Sequence, residues 1–242
     1  MFEFLKKFMN YKETNITNDV DSVHRILKTD FKKDPNSQED EIIFGCGCFW
    51  GAEKCFWKLP GVVTTSVGYA GGKKSNPTYY EVCSGLTGHS EVVRVIWNKN
   101  EIDISDLLKM FWECHDPTQK NRQGNDIGTQ YRSAIYYKNE NNKEIILASK
   151  EQYQKELNNK NFGFIETEIK MIETYFYAEH YHQQYLASAG SRQYCSASPT
   201  KVKLGHFAGS NYKLKDNIWE NFDWEVDKCV LRSNNNPINN NI

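Results

Sequence analysis

The chain has 242 residues, of which 39% are hydrophobic and 14% aromatic, and its formal net charge is −1. This length allows one domain with extensions or at most two small domains, and the apolar fraction is ample for a single core. The chain has no block of like charges and no apolar run as long as a membrane span, so its composition gives no sign of a nucleic-acid or membrane partner. Seven cysteines at irregular spacing indicate reduced thiols and a cytoplasmic protein rather than a disulfide scaffold.

The first 40 residues are predicted to form a polar N-terminal extension that packs loosely on the domain. The turn-forming residues Asp34–Ser37 separate it from the first strand. Its one sign of regular structure is a helical spacing of four apolar residues, which are Val23, Ile26, Leu27 and Phe31.

The core then alternates between strand and helix patterns. The predicted strands are Glu41–Gly45, Val62–Ala70, Ser90–Trp97 and Gln130–Tyr137. The predicted helices are Trp50–Leu59, the short Thr78–Ser84, and Ser105–Cys114 with Ser105 as its N-cap. The main order is β-α-β-β-α-β, which is typical of ferredoxin-like two-layer sandwiches with the helices on one face of the sheet. The predicted fold class is therefore α+β.

Further elements are predicted to elaborate this core, as a surface helix Glu140–Asn158, a strand Glu166–Tyr175 and a helix Ala178–Ser188. We expect the catalytic domain to span residues 41–200 and a C-terminal extension to follow at 201–242. The end of that extension, Ser233–Ile242, is rich in asparagine and is predicted to be disordered.

The segment Phe44–Gly51 carries the strongest chemical signal. Cys48 lies between glycines and the aromatic pair Phe49 and Trp50, where an apolar strand gives way to a helix. The free N–H groups and the positive end of the dipole at a helix N-terminus favour a thiolate. A cysteine that only fills space needs none of these neighbours. We therefore interpret Cys48 as a nucleophile.

Gly47–Gly51, with the sequence GCFWG, is also a family signature. Further motifs of the same family follow it in order along the chain. They are Gly68–Gly72, Asn76–Tyr79, Gly88–Glu91, Phe111–Pro117, Arg122–Asp126, Gly128–Ser133 and Ala178–Leu186. From Ile42 to Leu186 the chain resembles the A-type methionine sulfoxide reductases. The resemblance implies an elaborated α/β plait that reduces methionine-S-sulfoxide, free or in proteins, without a cofactor. It also implies thioredoxin as the electron donor.

Glu91 is the candidate proton donor. Its strand neighbours Val93, Val95 and Trp97 have the spacing of a core-facing row, and burial without a cation would raise the pKa of the carboxyl. From the sequence alone, a strand-end glutamate that faces solvent is equally compatible. The resemblance favours the acid, because Glu91 matches the catalytic glutamate of the family.

The remaining site residues rest on the resemblance. Tyr79 and Tyr131 match the tyrosines that bind the sulfoxide oxygen, and Asp126 matches an aspartate that helps to hold the site. Without the resemblance, Asp126 is typical of a turn residue that bonds its own backbone. Phe49 and Trp50 are expected to receive the S-methyl group.

A second thiol must condense with the sulfenic acid that the reaction leaves on Cys48. Cys195, in the irregular stretch Gly190–Pro199, is the candidate, although the glycine-rich segment common around that cysteine is replaced here by Ser191–Ala197. Cys229 is either a second relay thiol or a bystander. The four other cysteines are predicted to be buried structural thiols, and they are Cys46, Cys55, Cys83 and Cys114.

Three alternative functions compete with this interpretation. A metal-binding module built on Cys46, Cys48, His180 and His182 is disfavoured, because the cysteines form C-x-C and the histidines fall two apart on a predicted helix. A silent binder of oxidised methionine or a thiol sensor would not need the full set of site residues. A general thiol–disulfide oxidoreductase would need a C-x-x-C motif, which is missing. We expect no metal, and a monomer.

Overall fold

The structure, a computed structural model, describes residues 22–239, and its centre is a six-stranded sheet. The strands are β1 (Glu39–Cys46), β2 (Val62–Ala70), β3 (Ser90–Asn98), β6 (Ser133–Tyr137), β7 (Glu168–Met171) and β8 (Tyr175–Tyr177). Their order across the sheet is β7-β6-β1-β3-β2-β8. A separate two-stranded hairpin consists of β4 (Arg122–Gln123) and β5 (Asp126–Ile127).

The four central strands pair antiparallel in the order β6-β1-β3-β2, which is the strand order of a ferredoxin-like sandwich. β7 adds to one edge in parallel with β6, and β8 adds to the other edge antiparallel to β2. The predicted fold class is thus confirmed, and the sheet is mixed because of one parallel edge strand.

The helices are α1 (Phe49–Trp57), α2 (Tyr79–Cys83), α3 (Ile104–Glu113), α4 (Lys143–Asn159), α5 (Asp216–Trp219) and α6 (Cys229–Arg232). Alternation along β1 directs Ile42 and Phe44 toward the main core, while Ile43 packs in a small cluster on the opposite face. Phe44 stacks on Phe56 of α1 at 4.8 Å and on Phe111 of α3 at 5.1 Å between ring centroids. Burial of each such side chain stabilises the fold by about 1.5–3 kcal/mol. Within residues 22–239, no helix combines the length and the apolarity needed to cross a bilayer.

Among the predicted boundaries that differ from the structure are the starts of α3 and β6. The N-cap of α3 is Asp103 rather than Ser105: its carboxylate accepts from the Ser105 N–H, and Asp106 completes a capping box. The strand predicted from Gln130 begins at Ser133, because Thr129–Tyr131 form a 3₁₀ turn.

The strand predicted at Glu166–Tyr175 is instead two strands, β7 and β8, at opposite edges of the sheet. The helix predicted at Ala178–Ser188 is also wrong. Two 3₁₀ turns, His180–His182 and Tyr185–Ala187, occupy this segment, and Gln184 between them has φ 46°.

Buried hydrogen bonds explain why this segment is not helical. The Gln183 side chain bonds both backbone groups of Val67, and the Gln184 N–H and side chain both donate to the Glu53 carboxylate of α1. These contacts fix the segment against β2 and α1 in place of helical bonds.

Both ends of the described chain lie against the core. Residues 22–38 contain turns and an isolated bridge rather than the predicted helical face, and they do not pack loosely, since His24 is fully buried and bonds Thr65 at 2.9 Å. At the other end, the Trp57 indole N–H donates to the Asn235 carbonyl and the Ile238 N–H to that of Lys58. Residues 233–238 are thus held along α1, contrary to the predicted disorder. Residues 1–21 and 240–242 lie outside the described residues.

Candidate active site

Cys48 lies where the sequence predicted, at the start of the helix after the first strand. It is the N-cap of α1, with φ −56° and ψ 121°, and is half-buried. The Trp50 backbone N–H hydrogen-bonds to its sulfur. Gly47 permits the turn, because its φ is 88° and a Cβ there would lie 2.6 Å from Cβ of Gln123.

The prediction that the helix N-terminus would favour a thiolate is outweighed in the structure. Burial raises the pKa of Cys48 well above its usual value, and the neighbouring charge of Glu91 raises it further. The Trp50 N–H acts in the opposite direction but does not compensate. A charge on Glu91 therefore adds to the larger effect of burial in opposing ionisation of Cys48.

Glu91 is the second residue of β3 and is 2% exposed, so its carboxyl points inward. Its Oε2 accepts from the Phe49 backbone N–H at 3.1 Å, at the first turn of α1. Burial and the charge of Asp126 raise its pKa to about 8, although the Phe49 N–H lowers it. Glu91 thus carries a proton in most molecules at pH 7, and in that state it no longer opposes ionisation of Cys48.

Tyr79 and Tyr131 come together beside Glu91. Burial, and then the charge of Glu91, raise the pKa of both phenols, so both hydroxyls stay protonated and can donate hydrogen bonds. Tyr79 is the first residue of α2, and its backbone N–H donates to the Glu179 carboxylate at 2.9 Å. Tyr131 ends the 3₁₀ turn that precedes β6.

An aromatic cluster adjoins the thiol. Phe49 is buried, and Trp50 stacks on Tyr185 with ring centroids 3.9 Å apart. His182 packs against Phe49 at 5.2 Å and against Tyr79 at 4.5 Å. The cluster forms an apolar wall next to Cys48, and such a surface is suited to contact with a methyl group.

His182 is a site residue that the sequence reasoning missed. Its Nδ1 accepts from the Trp50 indole N–H at 3.1 Å, so its proton is on Nε2. Nε2 is buried and has no hydrogen-bond partner among residues 22–239. Burial lowers the pKa of His182 to about 3, so the ring is neutral. The motif Ala178–Leu186, which is part of the family resemblance, was the available signal for a role of His182. The local sequence pattern predicts only a helix there.

Asp126 ties the segment around Cys195 to the site. Its carboxylate accepts from the Tyr194 hydroxyl at 2.6 Å and from the Ser196 hydroxyl, the two residues that flank Cys195. The Ser198 N–H adds a bond to the side chain of Gln123. Residues 189–199 contain no helix or strand, so these side-chain bonds fix their position.

The thiol of Cys195 is buried against α1. A Cβ added to Gly51 would lie 2.6 Å from the Cys195 sulfur, so only glycine allows this close approach. Burial raises the pKa of Cys195 to about 12. Cys48 and Cys195 are not bonded to each other, and all seven cysteines are free thiols.

The other five cysteines differ in burial. Cys46, Cys55 and Cys114 are buried as predicted, but Cys83 is exposed, because it ends the short α2 at the surface, and its thiol hydrogen-bonds to Tyr79. Cys229 begins α6 and is half-buried. It lines the same cavity as Cys195.

A profile of the family "Peptide methionine sulfoxide reductase" matches residues 40–213. Peptide methionine sulfoxide reductase MsrA of Vibrio vulnificus is 53% identical over 76% of this chain and 87% of its own length. The mitochondrial peptide methionine sulfoxide reductase of Homo sapiens is 57% identical over 66% of this chain and 68% of its own length.

Solved structures agree. Methionine sulfoxide reductase A of Corynebacterium diphtheriae superposes with a TM-score of 0.65 at 42% identity, over 76% of this chain and 89% of that one. Mxr1 of Saccharomyces cerevisiae in its reduced form superposes with a TM-score of 0.62 at 34% identity, over 72% and 96%. Together with the family profile, these similarities show that the chain belongs to the A-type peptide methionine sulfoxide reductases, which are oxidoreductases.

Proposed function

We propose that this chain reduces the S epimer of methionine sulfoxide, free or within proteins, to methionine, and thereby repairs oxidised proteins. The observation that supports this most directly is the 3.1 Å bond from the Phe49 N–H to Glu91, because a buried acid then lies beside the N-cap thiol Cys48. A nucleophile for sulfur and a proton for oxygen are the two groups that sulfoxide reduction needs.

In the first step, the Cys48 sulfur attacks the sulfoxide sulfur. An S–S bond forms, and the oxygen, protonated to a hydroxyl, then moves to the Cys48 sulfur as the S–S bond and the original S–O bond break. Methionine leaves, and Cys48 becomes a sulfenic acid. Glu91 gives its proton to the oxygen and regains the proton that Cys48 releases, so no outside acid is required. The protonated hydroxyls of Tyr79 and Tyr131 donate to the oxygen as charge develops on it.

The S-methyl group of the substrate would lie against Phe49 and Trp50. The stacking of Trp50 on Tyr185 and its bond to His182 hold the indole in one orientation. This fixed apolar wall supports recognition of one sulfoxide epimer, because the methyl group and the oxygen must then occupy distinct places.

In the second step, the Cys195 sulfur attacks the sulfenic sulfur of Cys48 and water leaves, which forms a Cys48–Cys195 disulfide. Cys195 must first leave its contact with Gly51. The bonds of Tyr194 and Ser196 to Asp126 are the ones that must break or shift, since they anchor the residues on both sides of Cys195.

Thioredoxin is the proposed reductant of the resulting disulfide. Cys229 either accepts the disulfide from Cys195 as a second relay thiol or takes no part. The shared cavity favours a relay, because it leaves room for Cys195 and Cys229 to approach. The half-buried position of Cys229 also makes it the more accessible of the two thiols.

The test is incubation with each resolved epimer of a blocked methionine sulfoxide. The S epimer should be reduced and the R epimer left untouched, and Cys48→Ser should reduce neither, because a hydroxyl at its free pKa is a poor nucleophile. Equal consumption of both epimers would overturn the proposal. Binding without turnover by the unmodified chain would instead favour the silent binder.

We further propose a cytoplasmic monomer, with the catalytic domain at residues 41–200 between an N-terminal and a C-terminal extension. The irregular cysteine spacing supports a reducing compartment. The family profile, which covers residues 40–213, supports the N-terminal limit of the catalytic domain.

A further inference from the structure

A group of metal-ligating side chains lies in the core behind Cys48, and the proposed reaction uses none of them. Cys46 is the last residue of β1, Cys114 is the C-cap of α3, and His115 follows it. One ligand atom from each of the three lies within 4.8 Å of the other two, and all three residues are buried. Cys114 and His115 are distant from Cys46 in the chain, so the sequence alone does not bring the three together.

The histidine is oriented as a metal ligand would be. The Phe111 carbonyl lies 2.7 Å from Nδ1, and since a carbonyl only accepts, Nδ1 carries the proton. A histidine that binds a metal usually donates its second N–H to such a carbonyl. Nε2 therefore has the lone pair, and it now accepts from the Ser133 hydroxyl at 2.8 Å.

The Ser133 hydroxyl has an alternative hydrogen-bond acceptor. Ser133 lies directly opposite Cys46 in the β1–β6 pairing, and its Oγ is 2.8 Å from the hydroxyl of Thr167. Ser133 can donate to Thr167, which frees the Nε2 lone pair of His115. That lone pair then becomes available to an ion at the cost of one neutral hydrogen bond.

A third thiol completes the donor set. The Cys114 sulfur hydrogen-bonds to the thiols of both Cys46 and Cys55, so the three sulfurs form a chain with Cys114 at its centre. Three sulfurs and one imidazole are the Cys₃His set of structural zinc sites. Tetrahedral ligands at about 2.0–2.3 Å from zinc are about 3.5–3.8 Å apart. The ligand atoms of Cys46, Cys114 and His115 lie within 4.8 Å of one another and need shifts of about 1 Å, whereas Cys55 lies outside that group and must move further to join it.

An ion also has a path to this group. Cys46, Cys55 and Cys114 line a cavity of ≈ 220 Å³. The same cavity is lined by exposed residues of the C-terminal part of the chain, among them Lys201 and Asp227, so it reaches the surface. Chelation would link α3 to β1 and α1, the two elements that flank Cys48.

We propose that Cys46, Cys55, Cys114 and His115 form a binding site for a thiophilic divalent cation of the zinc class. None of the contacts described above joins these residues to Glu91 or to the two candidate tyrosines, although the three cysteines share their cavity with Cys195 and Cys229. Binding converts the thiols to thiolates and releases protons to solvent.

The test is titration of the reduced full-length chain with Zn²⁺ and, as a spectroscopic probe, Cd²⁺. One equivalent should bind with a thiolate-to-cadmium absorption band, and protons should be released. Zn²⁺ should raise the melting temperature, because a preformed site binds the ion more tightly than the unfolded chain does. Loss of a supporting residue around a ligand weakens metal binding about 10–100-fold, so Cys46→Ser and Cys114→Ser should each weaken it by about a hundredfold or more.

Matched controls are Cys83→Ser, an exposed thiol, and Cys229→Ser, a cavity thiol outside the group, and both should bind as the unmodified chain does. If Cys114→Ser fails to fold, Cys114→Ala keeps the core apolar and serves in its place. No binding by the unmodified reduced chain would overturn the proposal. Loss of binding in Cys229→Ser or Cys48→Ser, with normal binding in Cys46→Ser, would also overturn it.

Discussion

Gly51→Ala tests whether the Cys195 thiol lies against α1 in the reduced state. The new Cβ would be 2.6 Å from the Cys195 sulfur, whereas heavy atoms pack at about 3.5–4.0 Å, so the sulfur must move by about 1 Å. Gly51 lies inside α1, where alanine alone should stabilise the helix by about 1 kcal/mol. Overpacking costs about 1–3 kcal/mol, so the net effect should be destabilising or near zero.

The second half of the experiment removes the Cys195 sulfur. In a Cys195→Ala background the sulfur is absent and the Cβ of residue 195, at 3.3 Å, is the nearest remaining atom, so Gly51→Ala should become less destabilising, and stabilising by up to about 1 kcal/mol where that Cβ yields a few tenths of an ångström. Urea unfolding of the four proteins, all reduced, gives the coupling free energy between the two positions. Gly205→Ala is the matched control, because its Cβ would meet its nearest atoms at 3.6 Å, an ordinary contact.

Methionine released in a single turnover measures the first chemical step, which should persist in Gly51→Ala because Cys48 and Glu91 are untouched. A Gly51→Ala protein that is more stable than the unmodified chain in both backgrounds would show that Cys195 does not lie against α1. The mechanism would then need another resting position for this thiol.

The remaining predictions concern the acid and the two candidate thiols. Glu91→Gln should lower the single-turnover rate by about a hundredfold or more while substrate affinity changes less, and a near-normal rate would reduce Glu91 to a strand-end residue. The pKa of Glu91 is raised to about 8, so its proton stabilises the fold fully below the unfolded pKa near 4.5, and this stabilisation is lost as pH rises through about 8. Denaturation of Glu91→Gln across that range should therefore show a smaller loss of stability than the unmodified chain, and equal losses would contradict the burial argument. Cys195→Ser should release about one methionine per chain and stop as the Cys48 sulfenic acid, with no turnover on thioredoxin. Normal turnover by Cys195→Ser, with none by Cys229→Ser, would transfer the resolving role to Cys229.

Much of the sheet was predictable because its strands have local signals. β2 has the predicted bounds Val62–Ala70, and alternation along β3 correctly directed Val93 and Val95 into the core. Ala178–Ser188 failed because distant partners decide its conformation. The bonds of Gln184 to Glu53, 131 residues away, outweigh local helical propensity.

The candidate site was likewise predictable from the sequence only in part. The position of Cys48 at a helix N-terminus follows from neighbours within a few residues, so the sequence was sufficient. The bond from Tyr194 to Asp126 spans 68 residues, and no local pattern indicates it. The direction of the Cys48 pKa was also beyond the sequence, because it depends on burial and on Glu91, which only the fold brings beside the thiol.

The most direct test of the central claim is to map the disulfide that forms after one turnover without reductant. The reduced chain is mixed with the S epimer of a peptide methionine sulfoxide, free thiols are blocked, and the digest is examined by mass spectrometry. We predict a Cys48–Cys195 linkage, or a Cys195–Cys229 linkage if the relay operates, with one methionine formed per disulfide. The account would be contradicted if methionine forms while all seven cysteines are recovered as blocked free thiols. A disulfide that does not include Cys195 would also contradict it.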